Sequence, residues 1–240
     1  RVRNKNNSVK TDRERYIMNT SSADMMKALL LVLTDQKHRS DAVFVHGSSV
    51  NSVDLDERVL NHLNEIQLRN LIVNGTSDDR CREKKLAYPG CETWLRQLET
   101  IGFNRDDVQF TPEALHTAAE SDAVINICQS KGYRSLTLLA LPHHILRCML
   151  QMIFCLQRKK VELAVYAQTF GNVDWNMDAM KTVLGGSTIQ GVFSDHIDAE
   201  HQRIEKYMDR SGTGYTPHAT LTELIQYMST RRISDIVSPA

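Results

Sequence analysis

The sequence predicts an α/β fold: a doubly wound, mainly parallel sheet with additional helices at both ends of the chain. Short β-branched runs alternate with amphipathic helical segments from Asp41 to Ala167. Parallel strands connected by helices on both faces require that alternation. The composition, 41% hydrophobic and 24% charged over 240 residues, is that of an ordinary globular chain able to bury a sizeable core without staples.

Residues 1–15, RVRNKNNSVKTDRER, carry six Lys/Arg against two Asp/Glu and almost no large apolar side chain. A flexible basic arm over residues 1–20 is expected, followed by one α/β domain over 21–240. Ser22 suits an N-cap for a helix over 22–36. Then come a strand in DAVFVHG, a helix near 54–68, a strand in NLIVNG, a helix near 91–101 and a strand in DVQF at 107–110. A helix near 118–131, the strand SLTLLAL at 135–141, a helix over 143–157 and the strand VELAVYA at 161–167 complete the series. The pattern loosens after Gln168, with Gly171, Gly185 and Gly186 as breakers, before helices near 196–209 and 218–230.

The 29 basic and 29 acidic residues cancel, so no net field supports nucleic-acid binding. Five cysteines without C-x-x-C or zinc-ligand spacing predict reduced thiols in a cytoplasmic setting and no metal. Cys148 and Cys155, seven apart, read as small core residues. Leu136 to Leu156 has the length of a membrane span, but Pro142, His143, His144 and Arg147 interrupt it, so a strand followed by a helix is expected there.

Ligands of an open parallel sheet sit beyond the carboxyl ends of its strands. Four loops there carry polar residues. In the first, Gly47 permits close backbone approach and Ser48 offers a hydroxyl, although neither a dinucleotide nor a P-loop fingerprint occurs. In the second, Asn74 and Gly75 signal a turn, and Asp78 or Asp79 is either a ribose ligand or a solvated carboxylate. In the third, Thr117 and Glu120 have the spacing of a capping box. In the fourth, LPHHILR, Pro142 suits the first helical position, with His143 and His144 in the first turn and Arg147 one turn on. There a helix N-terminus and a guanidinium favour an anion, and the helix dipole depresses a histidine's proton affinity. The alternative is a packed histidine, a solvated one and a surface arginine.

In order and spacing, DAVFVHG, LIVNG, HTAAESDA and LLALPHHILRC resemble the motifs of the YdcF-like family, which includes the SanA and ElyC envelope proteins, over about residues 40–230. His144 and Arg147 keep the spacing of the family's His-Met-x-Arg segment, and Glu92 falls where the family has an acidic residue opening a helix. Ala140 and Leu141 replace the family's Thr-Ser pair, His116 replaces an asparagine, and the first two loops, which keep Gly47 and Gly75, have lost glycines of the family's pattern.

The resemblance implies a three-layer Rossmann-like fold, with S-adenosylmethionine binding in some members and a role in envelope or lipid-carrier metabolism in others. On it rests the expectation of a pocket for an anionic, nucleotide-like small molecule, S-adenosylmethionine being the cofactor candidate. Gly47, Ser48, Asn74 and Gly75 would shape that pocket, Thr117 would line it, and His144 with Arg147 would hold the anion. Were there catalysis, His144 would be the general acid or base, with Glu92 or Glu120 as its partner. Replacing Arg147 by Ala is expected to abolish binding and spare the fold. The alternatives are a hydrolase or transferase acting on a phosphorylated envelope precursor, and a non-enzymatic assembly factor using the basic arm.

Overall fold

The computed structural model describes residues 22–35, 39–46, 70–86, 88–100, 102–169, 176, 178–182, 188–208 and 218–231. The expected basic arm, the loop at Gly47 and Ser48, and the helix expected near 54–68 lie outside the described residues.

In chain order, the first part of the fold comprises α1 (Ser22–Leu33), β1 (Ala42–Val45), β2 (Leu71–Val73), α2 (Asp78–Lys84), α3 (Cys91–Thr100) and β3 (Val108–Phe110). It continues with α4 (Thr117–Lys131), β4 (Ser135–Leu139), α5 (Ile145–Lys159) and β5 (Ala164–Gln168). All five apolar runs are strands, and they pair in parallel in the order β3-β2-β1-β4-β5. The chain leaves β1 toward β2 and β3, then returns to the other side of β1 at β4. The strand order therefore reverses between β1 and β4, where a crevice opens in a doubly wound sheet.

Side chains alternate across β1 and sort into two cores. Ala42 and Phe44 pack with residues of α1, α4, α5 and α7 (Leu221–Thr230). Val43 and Val45 pack with Trp94, Leu95 and Leu98 of α3 and Cys81 of α2. The sheet thus lies between two helical layers. At the heart of the first core is α5, buried from Ile145 through Ile153. Cys148 and Cys155 are buried there as free thiols.

Four local expectations change. The glycine-punctuated stretch after β5 contains an antiparallel pair, β6 (Asp178–Thr182) with β7 (Thr188–Val192), leading into α6 (Phe193–Met208). The loop expected after β2 becomes helix α2, because Ser77 accepts the Arg80 N–H and Asp78 and Asp79 occupy the favourable first turn. The helix α5 starts at Ile145, so Pro142, His143 and His144 form a turn ahead of it and Pro142 is not its first residue. The Leu141 carbonyl accepts the N–H groups of both His144 (2.8 Å) and Ile145 (3.0 Å), which ties that turn to the helix.

The N-cap of α4 is His116, whose Nδ1 accepts the Ala119 N–H at 3.2 Å, so Thr117 and Glu120 form no capping box. Leu136 to Leu156 is β4 followed by α5, and among the described residues no helix is long and apolar enough to cross a membrane.

Candidate functional site

Strand β1 ends directly before His46, whose backbone N–H continues the pairing with β4 by donating to the Leu139 carbonyl at 2.9 Å. Two residues after Phe44, the ring lies on the same sheet face and packs edge-on against it at 4.6 Å between centroids. Only 1% of His46 is exposed.

Glu120, in the first turn of α4, meets this ring. Its Oε2 lies 3.1 Å from His46 Nδ1, and its Oε1 accepts a hydrogen bond from Asn74 Nδ2 at 2.8 Å. Asn74 is fixed in turn: it donates to the Ala114 carbonyl, and its Oδ1 accepts from the Thr76 N–H and hydroxyl. Burial pushes the Glu120 carboxyl upward, but the hydrogen bonds from His46 and Asn74 and the His46 charge outweigh it and hold the group below the ordinary carboxylate range. An ionised carboxylate only accepts, so His46 Nδ1 carries the proton. His46 Nε2 is buried and has no hydrogen-bond partner among the described residues.

Across the β1/β4 reversal stands His144, its ring centroid 6.0 Å from that of His46. Arg147, one helical turn on, donates from Nη2 to His144 Nδ1 at 2.9 Å and from Nη1 to Thr117 Oγ1 at 3.0 Å. Its Nε donates to Glu200 Oε2 at 2.6 Å. Glu200, on α6, is buried and also accepts from Arg203 Nη1 at 3.3 Å. Burial, reinforced by the Arg147 charge, lowers the His144 pKa to about 3 against the pull of Glu200, so the ring is neutral at pH 7. The sequence anticipated this direction but ascribed it to the helix dipole. His144 precedes α5, and burial beside a guanidinium is the larger cause.

The structure therefore brings Asn74, Thr117, Glu120, His144 and Arg147 together near the β1/β4 reversal and adds His46, Glu200 and Arg203. Arg147 is buried and its guanidinium is largely committed to internal partners, so it positions His144 rather than standing open to an anion. Glu92 lies elsewhere: it accepts the Asp78 N–H at 2.7 Å and so caps α2, while the carboxylate nearest His144 is Glu200, with Oε2 at 3.6 Å from Nδ1. Asp78 has a structural task, binding the Thr93 N–H and hydroxyl at the start of α3. Gly75 is required by packing, since a Cβ there would stand 1.8 Å from the Thr111 carbonyl oxygen. His143 packs its ring against His196 of α6, 5.0 Å between centroids.

Comparison of the chain with protein-family models and with curated proteins finds no match in either. The functional reading therefore rests on the geometry of this crevice.

Three contributors escaped the sequence reading. His46 could have been found as the last residue of a strand that opens onto the crevice. Glu200 and Arg203 sit three apart on an amphipathic helix, the spacing of an ordinary solvated pair, and nothing in the sequence brings them to Arg147.

Proposed function

We propose that the chain is a YdcF-like α/β protein that binds an anionic, nucleotide-like small molecule at the β1/β4 reversal, with S-adenosylmethionine the first candidate. The observation that carries the reading is the pair His46 and His144, in edge-to-face contact with centroids 6.0 Å apart where the strand order reverses. Ligands of doubly wound sheets collect at that place. Glu200 is shared by the guanidiniums of Arg147 and Arg203 on the His144 side. A phosphate or carboxylate there accepts a hydrogen bond from the His144 ring N–H.

A second reading, a hydrolase or transferase acting on a phosphorylated precursor, is favoured by one further contact. Glu120 holds His46 through Nδ1 and leaves Nε2, which has no hydrogen-bond partner among the described residues, beside a neutral His144. A base at His46 Nε2 next to a neutral imidazole N–H donor on His144 suits proton abstraction from a reacting group that reaches both.

Thermal shift with S-adenosylmethionine, nucleotides and polyprenyl phosphates separates the two readings, because a ligand specific for the folded state raises its melting temperature. The first reading expects a shift with S-adenosylmethionine or a nucleotide. The second expects one with the polyprenyl phosphates, together with phosphate release that His46→Gln abolishes. No shift with any of the three overturns both.

A further inference from the structure

One ring nitrogen each of His46 and His144 and the sulfur of Cys148 lie within 4.8 Å of one another. We infer that these three side chains form a site for a borderline-soft divalent transition ion of the Zn²⁺ class. The inference is independent of any organic ligand.

Each donor is delivered by a different part of the fold. His46 directly follows β1, His144 lies in the turn after β4, and Cys148 is one helical turn beyond His144, whose carbonyl accepts the Cys148 N–H at 3.2 Å. Residues four apart share a helix face, so His144 and Cys148 converge from one side and His46 meets them from the sheet.

His46 is already arranged as a metal ligand. Its Nδ1 proton is held by Glu120, which Asn74 anchors, and its buried Nε2 has no hydrogen-bond partner among the described residues. A carboxylate behind a ligating imidazole fixes the ring and raises its basicity. On His144 the lone pair is the one that receives the Arg147 Nη2 hydrogen at 2.9 Å. An ion displaces that donor, and Glu200 Oε1, 3.4 Å from the same Nη2, takes it over.

The donor set selects the ion. Two imidazoles and a thiolate suit Zn²⁺ or Co²⁺, whereas Mg²⁺ and Ca²⁺ need oxygen ligands that this set lacks. Binding converts the Cys148 thiol to a thiolate: the S–H bond breaks, a metal–sulfur bond forms, and one proton leaves to solvent. The thiolate and Glu120 then balance the two charges of the ion. With metal–nitrogen and metal–sulfur bonds of about 2.0–2.3 Å, the donors must close by about 1 Å, and the fourth tetrahedral position is left for water or an anion.

The test is a Co²⁺ titration of the purified chain without organic ligand, followed by absorption. One ion per chain is expected, with a near-ultraviolet thiolate-to-cobalt band that Zn²⁺ abolishes and Mg²⁺ leaves in place. Cys148→Ser should lose the band, Cys155→Ser should keep it, and Glu120→Gln should weaken affinity by about 10–100-fold. Circular dichroism establishes that each variant is folded. Should Cys148→Ser fail to fold, His46→Gln replaces it, with a loss of at least about tenfold expected. The absence of saturable Co²⁺ binding, a band that survives in folded Cys148→Ser, or affinity unchanged in folded His46→Gln overturns the assignment.

Discussion

His46 Nδ1 lies 3.1 Å from Glu120 Oε2 although 74 residues separate them, and both side chains are almost wholly buried. The contact joins the end of β1 to the first turn of α4 and leaves the buried Nε2 without a hydrogen-bond partner among the described residues. A buried carboxylate without its donors would be strongly unfavourable, so the Asn74–Glu120–His46 chain is stable only as a unit.

Glu120→Gln removes the charge while nearly keeping the shape. Loss of a buried charge-assisted hydrogen bond predicts destabilisation of about 1.5–3 kcal/mol at pH 7, read by urea unfolding. The folded-state pKa of Glu120 lies below its ordinary value. Its contribution is therefore present above the unfolded carboxylate pKa and is lost as pH falls through the folded one. The variant should have a shallower acid limb; an unchanged limb would show that the carboxylate is not held ionised.

His144 acts over a different pH window. Its pKa falls from 6.5 in the unfolded chain to about 3 in the fold, so between those values the unfolded state binds the extra proton. Stability then rises with pH across the window, with a slope of about 1.4 kcal/mol per pH unit at most, and is complete above it. In His144→Gln one proton's worth of that slope should vanish. Direct titration by histidine NMR should find His144 neutral at pH 5, and a midpoint near 6.5 is incompatible with its position beside Arg147.

Arg147→Ala is predicted to destabilise the fold, where the sequence alone led us to expect the fold to be spared. It strands Glu200 in the interior with Arg203 as the remaining guanidinium of the pair, and breaking a buried ion pair costs about 3–5 kcal/mol. Arg147→Ala combined with Glu200→Ala should be less destabilised than the sum of the single variants. Additivity in this double-mutant cycle would mean that the two groups do not interact. For the same reason Arg147→Ala is a poor probe of ligand binding, and substitutions at His144 are better suited.

Gly75→Ala tests whether the glycine serves packing or a ligand. The added Cβ meets backbone, the Thr111 carbonyl oxygen at 1.8 Å, so the loops after β2 and β3 must separate. Overpacking of this kind costs about 1–3 kcal/mol, measured without any ligand. A variant as stable as the parent leaves only the ligand reading for Gly75.

Four of the five strands were legible because each is a short, largely buried apolar run, marked by its length and β-branched content between helical segments; β3, with Gln109 and Phe110 only half-buried, was legible from its place in the alternation. The β6–β7 pair was not, since DAMKT and TIQGV mix charge, amide and glycine with few apolar positions. His144 and Arg147 were legible because their relation is local, one helical turn. Glu120 was legible as a helix-start residue but received the wrong task, because His116, not Thr117, caps α4 and frees the carboxylate to reach β1. Glu200 and Arg203 were hidden because their contacts with Arg147 join elements distant in sequence, which spacing does not encode.

The most direct test of the central claim is calorimetric titration of the parent chain and of His144→Gln with S-adenosylmethionine and with a nucleoside triphosphate. Saturable binding of one of them to the parent is predicted. His144→Gln should weaken it by about tenfold or more, the loss of one hydrogen bond to a charged group. No heat of binding with either compound, or an equal dissociation constant for the folded variant, would contradict a ligand site at His144 beside the β1/β4 reversal.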